Sequence, residues 1–536
     1  MPDITRRLSF ALMITLILAP SAVFGQAAPA PASQPPSQPA EGALRRLSID
    51  EAVRLALEQN LSLQVQRLNP QIQELAVTQA KTFWTPQLSS TISNANSTSP
   101  ISSFLAGASS QLVSKNFRAS VQESQSLPWY GSNYSVAWTS TRNADNSVFS
   151  SPNPSLASSL EFSFTQPLLR NFKIDGNRQQ VLISRKNREM SDVQLRQTVL
   201  ATIRNVKSAY WDLAFAFDNL KVQQQSLDIA RESLRDNKAR VAVGTMAPID
   251  IVEAEAEVAR NEESVIVAEA QITRAEDALR QIVFDPKVPD FWGMTFELTD
   301  APVFRARDVD LDAAVRAALD QRTDILNMRK QLESADINIR YYRNQALPDV
   351  SVKAGYGMSG QGGTEYAFDN SFPPVVTGVV DRGWGSVLSQ MFGNDFHNWS
   401  LAVTIGYPLG RSNAQAALAM AQVSRSQSEL QLKNLELSVA TQVRETARTL
   451  NTNRKRVEAT RVSRELAERK LVAEQKKFEA GMSTNFQVIQ AQRDLATARN
   501  SELQAVLDYN RSLVDFETVQ EAPLNGGGVT LSASGQ

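Results

Sequence analysis

The chain states one structural unit twice, and that duplication restricts it to folds assembled from two equivalent halves. The segment SIDEAVRLALEQ at 48–59 returns as DLDAAVRAALDQ at 310–321. Pro86 and Pro348 each precede a strand-like run, Pro167 and Pro408 each close one, and Gly244 and Gly481 each separate two long helical segments. Helical composition repeats easily, but it does not place prolines and glycines in one order twice. The expected domains are residues 44–304 for the first repeat and 305–520 for the second, each running helix, strands, long helix, turn, helix.

The helical segments carry coiled-coil seams. Leu213, Leu220, Leu227, Leu234 and Val241 recur every seven residues, with Tyr210 and Phe217 three places ahead of two of them. Val258, Val265, Ile272 and Leu279 continue the pattern after the first glycine, and Val443, Leu450, Val457, Leu471 and Phe478 repeat it in the second copy, with Arg464 as the exception. Sustained heptads specify helix against helix. Each long helix should reach roughly 100 Å at 1.5 Å per residue, while the helices before the strands and after the glycines should each run about 35–40 residues, roughly 55 Å. Two shorter helices end to end then match one long one, as an even-walled bundle needs.

Between the helices the period changes. Residues 133–139, 160–164 and 399–405 alternate polar and apolar, the mark of strands with one wet face. Weak dyads of about ten residues are what outer-membrane strands look like, and a closed barrel there needs at least about eight strands. One chain offers about four to six, and an open edge in lipid is costly, so several chains must complete the barrel around a closed axis. The first copy is about twenty residues longer between its prolines than the second. Residues 117–125 and 132–141, joined by Pro128-Trp129-Tyr130-Gly131, read as an extra hairpin. It either supplements the barrel, giving six strands per chain, or folds away as a cap or plug; the reading adopted is four barrel strands per chain. A short helix is expected near residues 384–392.

Composition removes other classes. Net charge is −1, so nothing favours nucleic acid. There is no cysteine, hence no disulfide, thiolate nucleophile or lipidated N-terminal cysteine. Arg6 and Arg7 precede an apolar run at 8–19 that is too short to span a bilayer. Residues 1–25 therefore read as a signal peptide, cleaved near Gly25-Gln26, and the Ala/Pro-rich 26–43 as a disordered linker. Residues 521–536 read as a disordered tail. The pattern GYGMSG at 355–360 lacks the following helix that a dinucleotide would need. His397 has no second histidine or cysteine for a metal. No catalytic, cofactor-binding or metal-ligating residue is assigned, and an enzyme is not expected.

With these landmarks the chain resembles the TolC family of outer-membrane efflux and secretion channels over about residues 47–520. The duplicated helix start, the strand exits at Pro167 and Pro408, and the two glycine turns carry the resemblance. It implies a fold that is α+β but mostly α: a long antiparallel coiled-coil helical barrel continuous with a transmembrane antiparallel β-barrel shared by three chains. It also implies a homotrimer in outer-membrane lipid with its helices in the periplasm. A periplasmic adaptor (membrane-fusion) protein would link it to an inner-membrane transporter of RND or ABC type, and the channel would conduct substrates passively out of the cell. The alternative is a periplasmic coiled-coil adaptor or structural protein without a pore, which would share the signal peptide and the heptads.

The resemblance further implies that the adaptor docks at the turns, here Val243, Gly244 and Thr245 with Ala480, Gly481 and Met482. It places the periplasmic aperture six and nine residues beyond each glycine, at Asp250 and Glu253 and at Gln487 and Gln490. The acidic ring that the family carries after its second turn is absent here as carboxylates. Six carboxylates from three copies of Asp250 and Glu253 would instead favour cations, since close like charges repel and attract counter-ions.

Overall fold

The computed structural model describes residues 44–100, 111–147, 150–288, 291–301, 304–369, 371, 375–410 and 412–521. The expected signal peptide, linker and all but the first residue of the tail lie outside them.

Strand β1 (Leu44–Leu47) leads into α1 (Ile49–Gln59) and α2 (Leu61–Lys81), then β2 (Gln87–Pro100), β3 (Gln111–Ser126), β4 (Asn133–Asp145) and β5 (Ser155–Pro167). Helices α3 (Gly176–Ala242) and α4 (Ile249–Val283) complete the first half, and β6 (Thr295–Leu298) pairs in parallel with β1. The second half runs α5 (Leu311–Gln321), α6 (Thr323–Gln345), β7 (Asp349–Phe368), β8 (Val376–Arg382), α7 (Trp384–Gly393), β9 (Phe396–Gly406), α8 (Asn413–Glu479) and α9 (Asn485–Gln520). The two long helices α3 and α8 are both 67 residues, α1 and α5 both 11, and α4 and α9 are 35 and 36.

The heptads do form the seams. Leu213, Leu227, Leu279, Val443, Leu450, Val457 and Leu471 are buried. Arg464, the exception, is held by Glu502 and, at 3.1 Å, by Glu468. Around mid-length, α1 packs on α3 and α4, where Leu47, Leu55, Tyr210, Leu213, Leu279 and Phe296 share one core. Tyr210 Oη donates to the Leu47 carbonyl at 3.1 Å, and burial pushes this phenol up to about 12. Helix α5 packs equivalently on α8 and α9, closing on Val443, Leu450 and Tyr509.

Two expectations need correction. The helix before each sheet segment is not one rod of 35–40 residues but two. At Asn60 the backbone turns extended, its Oδ1 accepts from Leu63 N at 2.9 Å to start α2, and its Nδ2 donates to the Ile282 carbonyl at 2.8 Å. Arg322 makes the same break between α5 and α6. The second correction concerns the hairpin. It is neither cap nor plug, and the sheet is not four strands wide. Strands β3 and β4 are zipped between β2 and β5, giving the order β2-β3-β4-β5-β7, with β8 and β9 both paired to β7. The reason is register: β2 pairs β3 from Gln87 to Pro100, and β4 pairs β5 from Asn133 to Asn143, so no ladder is left for β2 and β5 to share.

Strands β9 and β8 share one edge of β7, β9 along residues 349–359 and β8 along 363–368. Between them the chain leaves the edge as α7, which packs over β7 and β5 with Val387 and Met391 buried. Glycine makes this close approach possible. A Cβ at Gly360 would overlap the Val387 carbonyl oxygen, and one at Gly362 the Arg382 carbonyl. Part of the glycine-rich pattern that imitates a nucleotide motif is thus a seat for a helix.

Candidate functional site

The sheet has two chemically distinct faces because side chains alternate and the register aligns them. One row across it reads Leu88, Glu123, Val136, Phe162, Tyr356 and Trp399. A neighbouring row on the same face reads Val121, Trp138, Leu160 and Met358, and Leu401, Val403 and Ile405 extend the apolar surface along β9. The row on the other face reads Thr91, Ser120, Thr139, Ser159 and Ser359, and Arg118, Glu161 and Lys353 stand on that face too. Phe117, Val121, Val136 and Trp138 of the hairpin stand on the apolar face, with the charged Glu123 toward one end of it and Lys115 and Arg142 toward the other. An apolar face opposite a polar one is the division that the wall of a membrane barrel requires.

At the helix end of the sheet the first exit is bolted down. Pro167 is the last residue of β5. Beyond it Arg170 pairs with Asp349, Asn171 N donates to Asn344 Oδ1 at 2.7 Å, and Tyr130 of the hairpin turn stacks on Phe172 at 4.8 Å. At the second exit Pro408 lies two residues past β9, and Leu409 is 98% exposed. Phe83, Trp129, Tyr130 and Tyr407 are all exposed near this junction, as in the aromatic girdles that flank membrane barrels.

At the far end the two glycine turns are copies. Gly244 has φ +77° and Gly481 φ +73°, a left-handed backbone that suits glycine. In the first turn Gly244 N donates to the Val241 carbonyl at 2.9 Å and Thr245 N to Arg240 at 3.0 Å. In the second, Gly481 N donates to Phe478 at 3.0 Å and Met482 N to Lys477 at 2.8 Å. Both are Schellman caps that satisfy the last carbonyls of a long helix. Ala480 is the C-cap residue of α8. Val243 and Met482 are each 74% exposed, and Ile249, Val252 and Phe486 add exposed apolar side chains that sequence reading did not single out.

Asp250 and Glu253 lie in the first turns of α4, Gln487 and Gln490 in those of α9. Gln487 Oε1 accepts from Ser483 Oγ at 2.7 Å, and Gln490 Nε2 donates to Asp494 Oδ1 at 3.0 Å. Carboxylates therefore stand near the second turn after all, each tied to a lysine: Glu474 to Lys477 at 2.6 Å and Asp494 to Lys470 at 2.7 Å. These partners hold both carboxyls below the usual range. Two links between the halves near this end were invisible in the sequence. Buried Glu257 of α4 accepts from Arg493 of α9 at 2.6 Å, and buried Asn237 of α3 donates to Asn485 of α9 at 2.9 Å. Phe478 is covered by the Arg240 guanidinium, 4.6 Å from its ring centre.

Comparison with known proteins agrees with this wall. The sequence profile described as "Outer membrane efflux protein" matches residues 119–283 and 314–519. Nodulation protein T of Rhizobium leguminosarum bv. trifolii is 22% identical over 315 residues, covering 58% of this chain and 61% of that protein, less than two thirds of its length. Among solved structures, CusC superposes with a TM-score of 0.63 at 15% identity, covering 90% of this chain and 92% of its own. The outer membrane protein VceC of Vibrio cholerae gives 0.60 at 15% identity, covering 88% and 95%. At such identity these two likenesses speak for the fold.

Proposed function

This chain belongs to the outer membrane efflux protein family, whose profile covers more than half of its length, and from that premise we propose that three copies form a channel-tunnel serving as the exit duct of a tripartite efflux pump or type I secretion system. The observation that carries the reading is the two-faced sheet with two open edges. Strand β2 runs away from the helices and β9 runs back toward them, so the β2 edge of one copy can pair antiparallel with the β9 edge of the next. Repeating that contact closes a ring in which no edge meets lipid.

The helices support the same contact. Val65, Leu68, Ile72 and Leu75 form an exposed apolar stripe on α2, and Met420, Val423, Leu430 and Leu437 form another on α8. Both lie just below the sheet on opposite flanks of the chain, since the helices pack in the order α2, α3, α6, α8. Each stripe is what the other lacks. Below the junction the helices would cross the periplasm and present the glycine turns, with Val243, Gly244, Thr245, Ala480, Gly481 and Met482, to an adaptor protein and through it to an inner-membrane transporter of RND or ABC type. Asp250, Glu253, Gln487 and Gln490 would stand at the aperture. A coiled-coil adaptor without a pore has no use for a sheet with one lipid-like face.

Planar-bilayer recording of the purified oligomer tests conduction, with discrete current steps as the expected result; a soluble monomer and a silent bilayer would sink the channel. Replacing Asp250 by Asn together with Glu253 by Gln should lower cation selectivity, and an unchanged reversal potential would remove those residues from the aperture.

A further inference from the structure

Just below the first strand exit the wall carries a cavity of about 630 Å³ between α3 and α6. Lys173, Arg185, Arg340 and Arg343 stand around it, all exposed. Among the described residues none of these four has a carboxylate within ion-pair reach, whereas Lys186, Lys330 and Arg425 on the same helices and on α8 are each paired. Arg178 also borders the cavity but is engaged by Asp175 at 2.7 Å and by the Phe172 carbonyl at 2.9 Å. The floor is apolar: Ile174 and Val181 are buried, and Leu347 and Trp84 close the sides. Four unpaired cations over an apolar floor describe a site for an anion that carries hydrocarbon.

The wall has two sides, and the cavity lies on the outer one. On the opposite flank of the α3–α6 seam a second cavity is lined by Tyr341 and Gln345 together with Asn133, Thr165 and Ser351. Those strand residues stand on the polar face of the sheet by register, which is the lumen side of a barrel. Arg340 and Arg343 project from α6 roughly a third of a turn or more away from Tyr341 and Gln345. The cationic cavity therefore opens on the side continuous with Phe162, Tyr356 and Trp399. It is also central to the chain: α2 and α8 form the flanks, so a neighbouring copy does not reach it.

We propose that this cavity binds an anionic phospholipid of the periplasmic leaflet, its phosphate among Lys173, Arg185, Arg340 and Arg343 and its acyl chains against the apolar floor and the sheet above. The proposal rests on the membrane reading of the sheet for the ligand's identity. A bilayer headgroup layer begins where the apolar band of the sheet ends, and Lys173 and Arg343 lie at that level, with Arg340 and Arg185 one to a few turns below. Basic pockets at such depth are suited to anionic headgroups.

The test is native mass spectrometry of the detergent-solubilised oligomer offered equal amounts of phosphatidylglycerol and phosphatidylethanolamine. The expected result is selective retention of phosphatidylglycerol, with the preference reduced on the order of tenfold in Arg340→Gln/Arg343→Gln, since each cation near a headgroup adds to the attraction. Equal retention of both lipids, or a preference unchanged in the double variant, overturns it. Displacement of the lipid by millimolar inorganic phosphate also overturns it, because the ligand would then be a free anion and the apolar floor idle. Bilayer conductance of the same double variant separates this from the channel reading. Conduction that persists while lipid retention falls supports both, and a wild-type oligomer that retains the lipid but never conducts would refute the channel alone.

Discussion

Two lateral seams of this molecule occupy equivalent places in the duplicated plan and are built from opposite chemistry. Inside the chain, α3 meets α6 through a charged cluster: Lys186 reaches Glu189 and Glu333, each at 2.8 Å, and Lys330 reaches Glu189 at 2.7 Å. Gln179 Nε2 donates to Asn338 Oδ1 at 2.7 Å beside them. At the chain's flanks, the same positions of the other copy are apolar. Val65 and Leu68 of α2 stand where α6 has Asn327 and Lys330, and Val423 of α8 stands where α3 has Lys186. Chain connectivity already brings α3 and α6 together, so that seam can be polar, which fixes register without having to drive association. In the proposed oligomer the flanks recruit a separate molecule at the cost of its translational freedom, which requires apolar area to bury.

The comparison can be broken most visibly at the flanks. Ile72→Asp or Leu430→Asp should abolish the oligomer on native gels while circular dichroism keeps its helical signal. Lys330→Leu, at the inner position that corresponds to Leu68, should leave the oligomer intact, and an oligomer that survives both flank variants would dismiss the apolar stripes. Next in size are the seams within each half. Leu213→Ala and Leu450→Ala should each cost about 2–5 kcal/mol, and chemical denaturation should find the two penalties similar because the sites are copies. A large inequality would mean that one half carries the stability.

The strand regions provide a third contrast. The first half lends four strands to the sheet and the second only β7 with β8 and β9 sharing one edge. Excising β3 and β4 with a short linker from β2 to β5 should leave a closed barrel about a third narrower in electron micrographs, since diameter scales with strand number. An unchanged diameter would return the hairpin to the role of a cap. The smallest effect concerns the tips. Ion pairs with Lys477 and Lys470 hold Glu474 and Asp494 below their unfolded values in the folded chain, so their stabilisation is present above the ordinary carboxylate range and lost as pH falls through the lowered values. Amide exchange, corrected for the intrinsic rate, should loosen at the second tip in acid.

The helices and turns were legible because heptads and breakers are local signals: Leu213, Leu450, Gly244 and Gly481 all stand where their spacing puts them. The break at Asn60 was readable in principle as an N-cap asparagine, but its counterpart Arg322 carries no such mark. Membership of the hairpin in the sheet was not readable, because alternation in Ser/Thr-rich strands announces a strand without naming its partner. Glu257 and Arg493 looked like two more charges on solvated helices. Only the crossing of α4 and α9 makes them a pair. Asp250, Glu253, Gln487 and Gln490 stand in the first turns after the glycines, and their role at an aperture belongs to the proposed trimer rather than to the local sequence.

The matched lengths of α3 and α8 have a consequence for inheritance. Each is 67 residues, a span of roughly 100 Å, and both tips must arrive at one level for the proposed mouth to be even. An insertion in one helix leaves that tip out of step by 1.5 Å per residue and rotates its apolar seam by about 100°. A change of reach is therefore tolerated only when the same number of residues enters both halves, in multiples close to seven. The molecule is a gauge whose two scales must be recut together, so its height should drift far more slowly than its sequence.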